Sequence, residues 1–190
     1  MPAAAVPSIP TRSLAAPLAA LALAACGGGG DAAPEPPAPA LAADAVGCGD
    51  PDFRAAALRL LNQRRAQGAD CGNEGVFGPA APLAWDGRLE QAAYAHSLDM
   101  ATHDYFDHVA PDGSTPADRV AAAGYRWSAV GENIAAGYPD VAAVVDVWMT
   151  SPGHCANVMS PAFVDAGMAC AAGAASRYGR YFTLDLAAPR

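Results

Sequence analysis

Apolar positions recur at helical spacing in four stretches of the chain. Phe53, Ala57, Leu60, Leu61 and Arg64 follow the cap and first-turn proline of Asp50-Pro51, and Gly68 ends the run. A second helix starts at Asp86, carries Leu89, Ala92, Ala93, His96 and Met100 on one face, and runs to about Thr102. Thr115-Pro116-Ala117-Asp118 reads as a capping box that opens a third helix, closed by Gly124. A fourth begins after Asp140 with Val141, Val144, Val145 and Trp148, until Pro152-Gly153 breaks it. The pattern then changes. Residues 163–171 and 178–186 are apolar or β-prone and are separated by small residues, which predicts a terminal antiparallel hairpin. Helices early and strands late imply an α+β fold with a small sheet covered by helices.

The chain before this domain has a different texture. Residues 1–25 hold a single charge, Arg12, and an alanine- and leucine-rich stretch from position 14 to 25, the form of a secretory signal. That stretch is too short to span a bilayer comfortably, which takes about 20 residues. Leu23-Ala24-Ala25-Cys26 resembles the bacterial lipobox, in which the cysteine is acylated and becomes the mature N-terminus. Acyl chains on Cys26 would hold the protein on a membrane, each buried methylene contributing about 0.8 kcal/mol. Gly27 after the cysteine resembles the pattern sorted to the outer membrane of a Gram-negative cell. The alternative is an ordinary signal peptide cut nearby, with secretion and a free thiol. Residues 26–47 are glycine, alanine and proline with scattered acids and read as a tether. Residues 48–190 form one domain.

Charge and cysteine content narrow the function further. Acidic residues number 19 against 11 basic ones, all arginine, for a net charge of -8. A nucleic-acid partner is excluded on that balance, because neutralising phosphates needs a basic surface. Cys48, Cys71, Cys155 and Cys170 are an even set in an exported chain, which implies disulfides in one of three connectivities. The nearest-neighbour pairing, Cys48 with Cys71 and Cys155 with Cys170, closes short loops worth about 3 kcal/mol each. A four-cysteine zinc site is the other reading, and the absence of a CxxC spacing argues against it.

Of four histidines, His96 lies among alanines on an apolar helix face, the place of a hydrogen-bonded core histidine. His103 sits near the same helix's C-terminus, where an imidazolium suits the dipole. His108 and His154 lie at predicted loop positions, with Glu132 between them in Gly131-Glu132-Asn133-Ile134. Brought together, the three can bind a transition metal or pass protons.

These residues carry a resemblance. The order Ala95-His96-Ser97-Leu98-Asp99-Met100, Phe106-Asp107-His108, Asp112-Gly113, Arg119, Gly124-Tyr125, Gly131-Glu132-Asn133-Ile134-Ala135, Trp148 and Ser151-Pro152-Gly153-His154 resembles the CAP superfamily. The match is best to its short bacterial, SCP-like branch and covers about residues 53–186. The resemblance implies a three-layer α-β-α sandwich with a small central antiparallel sheet and a cleft lined by two histidines and two acids. By position these are His108, His154 and Glu132, the candidate catalytic set, with His108 and His154 as metal ligands. Ser151 stands where the second acid is expected. Several members bind zinc through the two histidines, so zinc is the expected cofactor, with water or Glu132 completing the coordination. Other members are reported to hold sterols, fatty acids or glycans, which makes a lipid- or glycan-binding module, or a structural or adhesive envelope protein, the alternative to a metal-dependent hydrolase. Ser151 and His154 lack the third group that a nucleophile pair needs.

For the remaining polar and aromatic residues the expectation is structural. Trp85, Trp127, Trp148, Tyr105 and Phe106 are expected to pack the sandwich, with a groove lining as the alternative. Asn133 is expected to bond loop backbone, and Arg119 to pair with Asp118, Asp99 or loop carbonyls. Asp107 and Asp112 read as turn residues.

Overall fold

The computed structural model describes residues 41–190, so the signal segment, Cys26 and most of the tether lie outside the described residues. The chain runs α1 (Ala43–Val46), α2 (Phe53–Gln67), β1 (Ala69–Asp70), β2 (Val76–Phe77), β3 (Ala84–Trp85), α3 (Gly87–His103), α4 (Pro116–Ala122), β4 (Trp127–Ala136), α5 (Val141–Thr150), α6 (Pro152–Met159), β5 (Asp165–Ala172) and β6 (Arg180–Pro189). The four expected helices are all present. Asp86 caps α3, and both reciprocal bonds of the Thr115/Asp118 capping box form on α4.

Four strands make one sheet in the order β3-β5-β6-β4. The terminal hairpin β5-β6 is antiparallel, β4 pairs antiparallel with β6, and the short β3 runs parallel to β5. Period-two alternation divides β6 between two helical layers. Phe182, Leu184 and Leu186 join Phe53, Leu61, Val144 and Trp148 in the larger core, under α2, α5 and α6. Tyr181, Thr183, Asp185 and Ala187 face α3: Tyr181 packs with Met100, Ala187 with Leu89, and Ser97 donates to the Thr183 hydroxyl at 2.9 Å. This is the three-layer α-β-α sandwich. Gly167 of β5 permits the close approach of α3, since a Cβ there would lie 2.0 Å from the Glu90 amide nitrogen.

Three local readings are corrected. Pro152-Gly153 does not break the chain into loop. Pro152 is the first residue of a new helix, the position where its fixed φ is compatible and its missing N–H costs nothing. The Gly131-Glu132-Asn133-Ile134 stretch is the middle of the ten-residue strand β4 and had no strand assignment. The disulfides join Cys48 to Cys170 and Cys71 to Cys155, so neither the nearest-neighbour pairing nor a four-cysteine metal site holds. Both bonds cross the fold, one tying the N-terminal entry to β5 and the other tying the β1–β2 turn to α6. Val46, within the stretch read as tether, is fully buried.

Candidate functional site

The three layers bring Glu132, His108 and Arg119 together and place His154 nearby. Glu132 sits mid-strand in β4 between two fixed neighbours. Gly131 lies against Phe163, where a Cβ would come within 2.7 Å of the ring. Asn133 donates to the His154 carbonyl (3.0 Å), and Asn157 donates to both the Asn133 side-chain oxygen (2.9 Å) and the Glu132 carbonyl (3.2 Å). These amide bonds lock α6, and with it His154, against β4. The partner expected for Asn133 was a loop. It is a helix, because α6 replaces the predicted break.

His108 lies in the loop between α3 and α4. The Asp107 carboxylate accepts the Val109 amide, as turn chemistry predicts, and buried His96 donates Nε2–H to the Asp107 carbonyl at 3.0 Å. Arg119 donates to the carbonyls of Ser114 and His108, each at 2.9 Å. Its acidic partner is Glu132 at 2.7 Å, not Asp118 or Asp99, because Asp118 is used by the capping box and Asp99 by Tyr105 and His103.

The result is a saturated carboxylate. Glu132 accepts Nδ1–H of His108 on Oε1 at 2.6 Å and the Arg119 guanidinium on Oε2, and its side chain is 1% exposed. His108 itself is 46% exposed, so the bond from Nδ1 leaves Nε2 as the ring atom available to the cleft. The hydrogen bond from Glu132 raises the His108 pKa above the usual histidine value despite partial burial. Burial lowers that of His154, and charge on His108 lowers it further. The cleft therefore pairs a readily protonated imidazole with one that stays neutral. Ser151 stands at the start of α6 with no side-chain cap bond, and nothing activates it as a nucleophile.

Asp185 was not among the candidates. It lies directly across from Glu132 in the β4–β6 register, is 0% exposed, and neither carboxyl oxygen has a hydrogen-bond partner. Burial, reinforced by the charge of Glu132, pushes its pKa well above the usual carboxylate range. The signal was present in the sequence as an acid inside the apolar run Tyr181-Phe182-Thr183-Leu184-Asp185-Leu186. The sign of its effect on stability follows. The unfolded chain releases this proton in the ordinary carboxylate range and the folded chain keeps it, so stability is lost as pH rises between the two pKa values. Asp185→Asn is expected to gain on the parent by about 1.4 kcal/mol for each pH unit within that interval. Urea unfolding of both proteins between about pH 5 and pH 8 checks this. A constant difference would show that Asp185 is ionised in the folded chain.

A zinc site is implied by the resemblance. Two imidazoles are suitable donors, but a resident zinc keeps at least three protein ligands. Among the described residues no group of three or more His, Cys, Asp or Glu side chains is placed to hold a metal ion. The donor set fits an exchangeable ion completed by water.

Of the aromatic residues expected to pack the core, Trp148 is buried and donates Nε1–H to the Ile134 carbonyl at 3.1 Å. Trp85 and Trp127 are half-buried against the two cores, and Tyr105 donates to Asp99 at 2.5 Å. Phe106 departs from the expectation, being 44% exposed beside His108.

The fold and cleft together define a CAP-type module. Residues 58–186 match the model of the cysteine-rich secretory protein family, CAP, and the chain belongs to that family. The uncharacterized protein YkwD of Bacillus subtilis is 39% identical over 87 residues, which are 46% of this chain and 34% of that protein. An extracellular protein of Bacillus anthracis containing an SCP domain is similar in structure, with a TM-score of 0.50 at 30% identity over 57% of this chain and 34% of its own. The chain thus spans about a third of the length of each. An outer surface protein of Borrelia burgdorferi shares the fold, with a TM-score of 0.60 at 16% identity over 73% of this chain and 93% of its own.

Proposed function

We propose that the protein is exported and tethered to the cell envelope through an acylated Cys26, and that its CAP domain works there as a ligand-binding module. The ligand sits over the outward sides of His108 and His154. The lipobox-like Leu23-Ala24-Ala25-Cys26, two disulfides of the kind that persist outside the cytosol, and the extracellular relative from Bacillus anthracis support export and anchoring. The observation that carries the binding reading is the saturation of Glu132. With one oxygen on His108 and the other on Arg119, and with Ser151 in place of a second acid, no free carboxylate faces the cleft to serve as a base. What it offers is Nε2 of His108 as a hydrogen-bond donor and a neutral His154.

A second reading is favoured by one feature. A carboxylate bonded to Nδ1 is how metal-ligating imidazoles are commonly oriented, so an exchangeable divalent ion can bridge His108, His154 and a ligand. Native mass spectrometry of the mature protein tests both. A small molecule that co-purifies with the protein and is absent from His108→Ala/His154→Ala establishes binding. Zinc taken up at about pH 8, released at about pH 5.5 and absent from the double variant establishes the metal. Retention of both by the variant overturns the assignment to this cleft.

A further inference from the structure

His154 also borders a second space, which the histidine cleft does not account for. Its volume is about 360 Å³, and its walls are Phe106, Tyr138, Trp148, Ser151, His154 and Tyr178, over a floor of Ile134, Ala135 and Ala136. That volume lies at the small end of the about 300–1,000 Å³ typical of small-molecule sites. The groove is open along one side, where Phe106 and Tyr178 are 44% and 41% exposed.

Two features specify its occupant. The first is the arrangement of rings. Phe106 meets Tyr178 edge-to-face at 6.0 Å, and Tyr178 meets Tyr181 in the same way at 5.8 Å, so neither ring is stacked flat against its neighbour. The platform is held in place. Asp104 accepts the Arg177 amide at 2.7 Å and the Tyr181 hydroxyl at 3.1 Å, which pins the β5–β6 turn carrying Tyr178. The second feature is the polar groups among those rings. The hydroxyls of Tyr138, Tyr178 and Ser151 and the ring nitrogens of His154 have no hydrogen-bond partner among the described residues, and the walls hold no carboxylate or guanidinium. Burial keeps His154 neutral.

We infer that this groove binds a neutral sugar ring, with its C–H face stacked on Tyr178 and Phe106 and its hydroxyls bonded to Tyr138, Ser151 and His154. The inference rests on the binding-module reading and names the ligand class for the space next to the histidines. An acyl chain would fit the floor but would cover four unpaired polar groups, each of which costs free energy when dehydrated without a partner. A pyranose ring presents apolar faces and a polar perimeter, and so matches both sets. The net charge of -8 disfavours acidic glycans and favours a neutral one.

The test is titration of the mature protein with chitotriose and, separately, with lauric acid, followed by the NMR resonances of the His154 ring and the Val147 methyls. Chitotriose is expected to shift these resonances saturably. Tyr178→Ala, a change at an exposed position, is expected to weaken binding about tenfold, and Tyr178→Phe severalfold less. If lauric acid moves the resonances and chitotriose does not, the sugar assignment fails and the binding-module reading stands. If neither probe nor zinc moves any groove or histidine resonance in the folded protein, both fail. Shifts from chitotriose that survive in Tyr178→Ala place the sugar elsewhere and overturn the inference as well.

Discussion

Reducing the two disulfides is expected to remove most of the stability of this domain. Cys48–Cys170 and Cys71–Cys155 join residues 122 and 84 positions apart. In the chain-entropy account, loops of that length are worth about 4–5 kcal/mol each. A domain of this size has about 5–15 kcal/mol in total. Each Cys→Ser pair variant, Cys48→Ser/Cys170→Ser or Cys71→Ser/Cys155→Ser, should lower the melting temperature by about 10–20 °C, and reduction of both bonds should leave the chain largely unfolded at 37 °C. Thermal unfolding followed by circular dichroism, with and without reductant, decides the matter. Shifts of only a few degrees would mean that the packed layers alone hold the fold. The crossing pattern makes the effect large: the nearest-neighbour pairing would have closed short loops worth about 3 kcal/mol each.

Arg65→Met is expected to cost about 3–5 kcal/mol. Arg65 ends α2 and is 1% exposed, yet no acid pairs with it. Its guanidinium instead donates to four carbonyls: Ala81 at 2.7 Å, Val158 at 2.7 Å, Ser160 at 2.8 Å and Phe163 at 3.2 Å. Those oxygens belong to the entry into β3, the end of α6 and the connection to β5, so one planar fork satisfies three segments that have no ladder of their own. Burial lowers the guanidinium pKa, but arginine remains charged at any ordinary pH. Methionine would keep the apolar stem and leave four carbonyls without a donor, each a penalty of about 1 kcal/mol or more. Arg65→Lys should recover only part of the loss, because an ammonium cannot span the same positions. Urea denaturation midpoints measure both. A cost below about 1 kcal/mol for Arg65→Met would show that water replaces the guanidinium and that the segments are held elsewhere.

Arg65 and Asp185 also mark the limit of what could be read from the chain. Both are charged residue types at positions that periodicity assigns to polar surface or apolar strand. Their roles depend on which carbonyls or carboxylates distant segments bring to them. His108 and Glu132 were legible as candidates because the order of motifs around them resembles a known family. Their direct bond, and the removal of Glu132 from the cleft by Arg119, were not. Phe106 and Tyr178 are similar cases, since an aromatic residue in a loop can pack inward or line a groove, and only the neighbouring surface decides which.

The sequence by itself determined the four helices, the terminal hairpin, the caps of α3 and α4, and the buried place of His96. Each follows from interactions within a few residues: a side chain capping an amide three positions on, or an apolar stripe repeating with the helix. The tertiary structure alone decided the cysteine pairing, the strand at Glu132, the helix at Pro152, the partner of Arg119, and the exposure of Phe106. These depend on contacts between residues tens of positions apart. The β4–β6 register sets Glu132 against Asp185, and the packing of α3 and α4 on that sheet sets His108 and Arg119 against Glu132. Local propensity carries no record of such contacts, because their free energy exists only once the layers have closed.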